Sequence, residues 1–189
     1  MEPRRCGWAK DPLLIEYHDT EWGVPLHDDH RLFEMIVLES MQSGLSWITI
    51  LRKRQAFRAA FSRFDPRKVA KFSAKDMDKL LANPGLVRNR AKLEAAIANA
   101  QATLRVQNTY GSLDSFLWKV VDGKPVINHW MDSGQIPAKT AVSERLSKEL
   151  KAEGFQFVGP TVAYALMQAI GMVNDHETSC DRHKELAGC

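Results

Sequence analysis

The chain has 189 residues, a formal net charge of +3, a pI near 8.8 and 44% hydrophobic residues. That length suits one domain, of at most two helical lobes, able to bury roughly 70% of its unfolded surface without a disulfide scaffold. No stretch reaches the roughly 18 apolar residues of a membrane helix, and the opening MEPRRCGWAKD lacks the apolar run of a signal peptide, so the expectation is a cytoplasmic protein that makes no membrane contact.

Residues 6–28 read as a loop-rich segment, punctuated by Asp11-Pro12 and Gly23-Val24-Pro25. Trp8, Tyr17 and Trp22 crowd into it; such aromatics either pack the segment down or stack a base. Leu32 to Leu51 comes next, apolar on nearly every face, and so reads as a buried helix, yet a carboxylate, Glu39, sits in its middle. At helical spacing Glu39 has Met35, Ile36, Gln42 and Ser43 as neighbours, which leaves its carboxylate without a partner. It either reaches water at the helix edge or lines a pocket with Trp47 as a wall.

Gly44 breaks that stretch, and Ser46 is placed to cap a second helix running to about Arg63. Arg52, Lys53, Arg54, Arg58 and Arg63 give it a basic face, solvated or turned to phosphate. Asp65-Pro66 marks a helix start, and Ser73 to Asp76 a capping-box start for a helix carrying Met77, Leu80 and Leu81. Asn83-Pro84-Gly85 ends it, and the next helix is predicted from near Arg88. Residues 75–104 thus read as helix, short hairpin, helix. Gly85, Arg88 and Arg90 there offer free N–H groups and two guanidinium groups to a phosphate.

A helix is predicted over 112–121, irregular chain over 122–139, and a helix capped by Thr140 or Ser143 that Gly154 ends. The last helix starts at Pro160, and the residues beyond Cys180 read as frayed. With no alternating strand signal the class is all-α.

Three cysteines, Cys6, Cys180 and Cys189, are an odd number and argue against a disulfide framework. His176 and Cys180 stand four residues apart, and Cys6 and His18 supply a second pair. Together they form a Cys2His2 set suited to tetrahedral zinc if the ends of the domain meet. Four protein ligands leave no open position, so such a site is structural and activates no water.

Taken in order, Cys6-Gly-Trp8, Tyr17-His18-Asp-x-Glu-Trp22-Gly-Val-Pro25, Leu32-Phe-Glu-Met, Leu38-Glu39, Gly44-Leu-Ser-Trp47, Phe157-Val-Gly and Met167-Gln-Ala-x-Gly-x-Val-Asn-Asp-His176 resemble the bacterial 3-methyladenine DNA glycosylase I family. The resemblance runs from about Cys6 to Cys180. It implies a helix-hairpin-helix DNA glycosylase fold and one Zn2+ held by Cys6, His18, His176 and Cys180, tying the N- and C-terminal segments together. It implies a monomer acting on double-stranded DNA that contains alkylated adenine. Glu39 would be the catalytic pocket acid, with Trp8, Tyr17, Trp22 and Trp47 as base-binding walls. The loop Gln42 to Leu45, with Gln42, Gly44 and Leu45 as contacts, would probe the gap left by a flipped nucleotide. Leu14 departs from the pattern, standing where the resemblance expects an aromatic.

The segments presumed to form the pocket, Cys6 to Pro25 and Leu38 to Trp47, contain only Lys10, and Ala91 to Thr109 contains no Asp. The expected activity is therefore hydrolysis of the N-glycosidic bond of 3-methyladenine with no lyase step. Two other readings stand beside it: a lesion-recognition protein without catalysis on the same scaffold, and a zinc-stabilised helical interaction module with no DNA role.

Overall fold

The computed structural model describes residues 3–188; Met1, Glu2 and Cys189 lie outside them. Among the described residues the chain forms ten α-helices: α1 (Pro12–Thr20), α2 (Asp29–Gln42), α3 (Trp47–Ala60), α4 (Pro66–Val69), α5 (Ala74–Ala82), α6 (Arg90–Tyr110), α7 (Leu113–Trp118), α8 (Ala141–Ala152), α9 (Pro160–Ala169) and α10 (Asp181–Ala187). The helical class expected from sequence is observed. The exception is small: β1 (Val126–Ile127) and β2 (Val173–Asn174) pair in parallel, too short for an alternation signal.

Local chemistry sets most helix starts. The Asp28 side chain accepts the Arg31 N–H at 2.9 Å to open α2. Asp65 caps α4 ahead of Pro66, Ser73 and Asp76 form the expected capping box on α5, and Thr140 and Ser143 form one on α8. Asn89 caps α6, so that helix begins at Arg90 rather than near Arg88, and it runs on to Tyr110.

α2 is the spine. Leu32 to Met41 are buried without interruption, and the helix packs against α3, α6, α7 and α9. A helix enclosed on all sides needs apolar residues on all sides, which explains the unbroken run in the sequence. α8 packs on α9, and α4 and α5 lie against α6.

Four expectations are corrected. Residues 6–28 hold a helix, α1, capped by Asp11 with Pro12 in its first turn. α3 ends at Ala60, after which Ser62, Arg63 and Phe64 take left-handed φ values of 52°, 55° and 56°. Such backbone costs roughly 1–2 kcal/mol per residue; here it lets Phe61 and Phe64, both fully buried, stack at 5.8 Å. The residues beyond Cys180 form α10, with His183 and Leu186 buried and Asp181 paired to Arg4 at 3.1 Å. Nor is the basic set on α3 a single solvated face. Arg54 is buried and donates to Glu34 at 2.5 Å and to Glu21 at 2.8 Å, and Arg58 pairs with Glu34 at 2.9 Å. Arg52 meets Asp11 at 3.3 Å, Lys53 donates to the Pro84 carbonyl at 2.9 Å, and Arg63 stays exposed.

The C-terminal end of α9 joins the segment after α1 through backbone bonds, Gly23 N–H to the Gln168 carbonyl at 3.0 Å and Leu26 N–H to the Ile170 carbonyl at 3.1 Å. Gly171 sits in this joint with φ of 74°, and a Cβ there would lie 2.5 Å from backbone atoms of Val24 and Pro25. Neither the dihedral nor the contact can relax through a side chain. Gly171→Ala should therefore lower stability by at least ~2 kcal/mol, read as a lower urea midpoint at unchanged slope; an unchanged midpoint would show that this joint yields easily.

Candidate active site

A cavity of about 340 Å³ opens between α1, α2, α3 and α9, lined by Trp8, Tyr17, Trp22, Glu39, Gln42, Trp47, Ser133, Ile136, Ala165 and Gln168. All five residues expected to bind a base lie in this wall. Tyr17 and Trp47 meet at 5.3 Å between ring centroids, and Trp8 stands edge-on to Trp22 at 5.0 Å. Leu14 is not in the cavity lining; it packs behind it with Cys6, Tyr17 and Trp22.

Glu39 comes up from the middle of α2. It is 4% exposed, and its Oε2 has no hydrogen-bond partner. Burial raises its pKa from 4.5 to about 8, since a charged carboxylate there loses water and gains no partner. The same burial, followed by the charge of Glu39, raises Tyr17 well above the usual phenol value. Trp47 Nε1–H is a second buried polar group without a partner. The cavity thus pairs aromatic faces with one unsatisfied acid and one unsatisfied N–H donor. Unpaired buried polar atoms of this kind mark a place built for a polar ligand.

Sequence reasoning missed the far wall. Ser133 and Ile136 come from the irregular segment before α8, and Ala165 and Gln168 from one face of α9. It also missed Lys92 on α6, whose ammonium is buried and donates to the carbonyls of Met41 at 2.9 Å and Ser43 at 2.5 Å. Burial lowers its pKa. Lys92 satisfies orphan carbonyls at the end of α2, so the α2–α3 turn is fastened to α6. In that turn Gln42 lines the cavity, Gly44 has open space around it, and Leu45 is 41% exposed.

Between α5 and α6 the expected free N–H at Gly85 is absent. Its N–H donates to Asn83 Oδ1 at 2.9 Å, and a Cβ there would press on Ala56 at 2.8 Å. Gly85 serves close packing against α3. Arg88 and Arg90 are exposed, Arg90 lying 3.7 Å from Glu94.

Behind the aromatic wall, donor atoms of Cys6, His18 and Cys180 lie within 4.8 Å of one another, all buried. His176, the fourth expected ligand, stands outside that set but beside it, its ring edge-on to His18 at 4.9 Å. Its Nδ1 bonds Asn174 Oδ1 at 3.0 Å, whereas its buried Nε2 has no partner. Each donor is oriented from behind: His18 Nδ1 by Asp19 at 2.8 Å, Asp19 by Arg5, and Cys6 Sγ by the Glu177 N–H at 3.3 Å. The thiol contact and a hydrogen bond from His18 lower Cys180 to about 4, while Cys6 is raised by its hydrogen bond to Cys180. Burial, then the charge of His18, pushes His176 down to about 3. A ready Cys180 thiolate and a neutral His176 imidazole with an orphaned ring nitrogen fit a tetrahedral metal ion. Gly23, with φ of 77°, allows this closeness; a Cβ there would lie 2.7 Å from His176 Cε1. Trp22 meets His176 at 4.5 Å and so is both cavity wall and cluster cover.

A family model described as methyladenine glycosylase matches residues 8–183. The chain is 48% identical over 177 residues to DNA-3-methyladenine glycosylase 1 of Escherichia coli (strain K12), spanning 93% of this chain and 95% of that protein. It resembles a crystal structure of 3-methyladenine DNA glycosylase I with a TM-score of 0.92 at 49% identity, over 94% and 98% of the two chains. A structure of the Staphylococcus aureus 3-methyladenine DNA glycosylase I, solved for the basis of 3-methyladenine recognition, matches at 0.89 and 41% identity over 91% and 92%.

The unpaired acid has a thermodynamic signature. Its folded pKa lies above the unfolded value, so its contribution is fully present below about pH 4.5 and is lost as pH rises through about 8. Glu39→Gln removes that loss. Relative to wild type, the variant should gain stability, on the order of a few kcal/mol, between pH 5 and 8.5. A difference in unfolding free energy that stays flat across that range would show that Glu39 is ionised or solvated.

Proposed function

The chain belongs to the methyladenine glycosylase family and is an enzyme of it, and from that premise we propose that it flips 3-methyladenine out of alkylated double-stranded DNA and hydrolyses its N-glycosidic bond. The observation that carries this reading is the unpartnered Glu39 carboxyl inside an aromatic cavity. An adenine alkylated at N3 is cationic in the nucleotide, and its base leaves neutral, so modest help suffices. Flipping costs a few kcal/mol, least for a damaged base. Entry of a positive base favours the carboxylate form of Glu39, which then accepts hydrogen bonds from the base. Trp8, Tyr17, Trp22 and Trp47 offer π-faces to the cation, worth about 1–2 kcal/mol when desolvated. A neutral base such as uracil provides no such charge, and it is not a substrate. Water attacks C1′ as the bond breaks.

At the cavity's edge, Gln42, Gly44 and Leu45 meet the gap left by the flipped nucleotide, with Leu45 as the apolar wedge. Residues 75–104 act as the helix-hairpin-helix element. Its phosphate contacts are Arg88 and Arg90, and the backbone near Gly85 contributes through shape rather than a free N–H. The enzyme works as a cytoplasmic monomer in one domain; no helix among the described residues is long and apolar enough to cross a membrane.

No Schiff base forms. Lys92 has the lowered pKa that a lyase amine needs, but two carbonyls hold its ammonium. Incubation with methylated duplex should release free 3-methyladenine and leave an intact abasic strand, with no adduct trapped by borohydride. Glu39→Gln should lower excision roughly 10- to 100-fold with the fold retained. Efficient uracil release, a trapped adduct, or unchanged excision by the variant would each refute the corresponding step.

Cys6, His18, His176 and Cys180 hold one Zn2+ in this reading, a structural ion that contributes folding free energy and no chemistry at the base. Elemental analysis should find about one zinc per chain. Cys180→Ser should lose both the metal and thermal stability, with the remaining folded fraction still active. A Cys6–Cys180 disulfide in place of metal would overturn the assignment.

A further inference from the structure

The face of α9 that lines the cavity leads to a polar device that base flipping and hydrolysis leave unused. Asp175 is 1% exposed and accepts four hydrogen bonds from two parts of the chain, the segment after β1 and α9. Its Oδ1 takes Asn128 Nδ2 at 2.6 Å and Trp130 Nε1 at 2.8 Å; its Oδ2 takes the Tyr164 hydroxyl at 2.6 Å and Gln168 Nε2 at 2.8 Å. Gln168 lines the cavity. A carboxylate can only accept, so it settles which way the Gln168 amide faces: the NH2 end is held by Asp175. The carbonyl oxygen is the end left over, and the bond to Asp175 is the one side-chain hydrogen bond of Gln168 among the described residues.

We infer that Gln168 is a specificity-determining residue of the cavity, its amide turned by Asp175 so that Oε1 is a fixed acceptor for the exocyclic amino group of the bound base. The inference rests on the base-binding reading and assigns Asp175 as the positioning residue.

Glu39 is poorly suited to this task alone. With its pKa near 8 it accepts when ionised and donates when protonated, so near neutral pH it suits both an amino and an oxo group. An amide whose other end is tied to a four-coordinate carboxylate has no such freedom. Against a 6-oxo purine it presents oxygen to oxygen, and a site built for a donor strongly rejects an analogue that lacks one.

The test is titration of the protein's tryptophan fluorescence with free 3-methyladenine and with its 6-oxo counterpart, 3-methylhypoxanthine. Wild type should prefer the amino base by about tenfold or more. Gln168→Leu should weaken the amino base and leave the oxo base nearly unchanged, collapsing the preference. Asp175→Asn retains Gln168 but offers it an amide N–H; the Gln168 amide should turn over, weakening the amino base roughly tenfold while holding or strengthening the oxo base. Loss of folding lowers both affinities together, so a change in their ratio is not a structural effect. A preference unchanged in Gln168→Leu, or equal losses for both bases in Asp175→Asn, overturns this inference and leaves the base-binding reading standing. Wild type that binds neither base overturns that reading itself.

Discussion

A buried carboxyl group in the middle of a central helix sets the terms for this structure. α2 buries two acids five residues apart, and they meet opposite fates. Glu34 is answered by Arg54 and Arg58, with Glu21 closing the network. Glu39 Oε2 has no partner among the described residues. An unpaired buried acid costs several kcal/mol as an ion and less as a neutral group. A fold does not keep such a cost in its centre unless another molecule offsets it. The aromatic walls and the α9 face that line the cavity with this acid are the surroundings in which the proposed cationic ring would meet it.

Those walls depend on the two ends of the domain. Trp8 and Trp22 belong to the N-terminal segment, and their contacts run backward into His18 and His176. The cluster of sulfur and nitrogen donors is therefore less a separate module than the footing of the cavity. Asp175, next to His176 in sequence, turns the same strand toward the far wall. A single short stretch, Asn174 to His176, thus orients one ring of the donor cluster and one amide of the cavity.

The spine and both halves of the site are legible in the sequence because they rest on residue types that are costly elsewhere. A largely apolar helix, an acid without a helical-spacing partner in its middle and cysteines paired with histidines leave few alternatives. Boundaries are less legible. Asp11-Pro12 reads as a turn and Asp65-Pro66 as a helix start, though both cap helices; the dipeptide marks a change of chain direction without specifying a helix after it. α10 is unreadable because what holds it is tertiary: Asp181 is tied to Arg4 from the other end of the chain, and the His183 carbonyl to the Asn174 side chain. The basic residues of α3 look like a surface because a sequence does not show that Glu21 and Glu34 face them. Lys92 gives no local signal at all: its partners are two carbonyls some fifty residues away. Gln168 lies inside a motif recognisable as a string, while its role depends on an aspartate seven residues on.

The fastening of the α2–α3 turn by Lys92 bears on how such a protein searches. A loop that is floppy in solution must freeze each time it tests a base step, and that entropy is lost again at every position along a duplex. Here the turn is already held to α6, the helix that leads out of the hairpin. The ordering is completed once, during folding, and need not be repeated at each encounter. Under the proposed function, turn and hairpin would meet DNA as one rigid edge, and dwell time at an undamaged step would be governed by the DNA's willingness to open rather than by rearrangement of the protein.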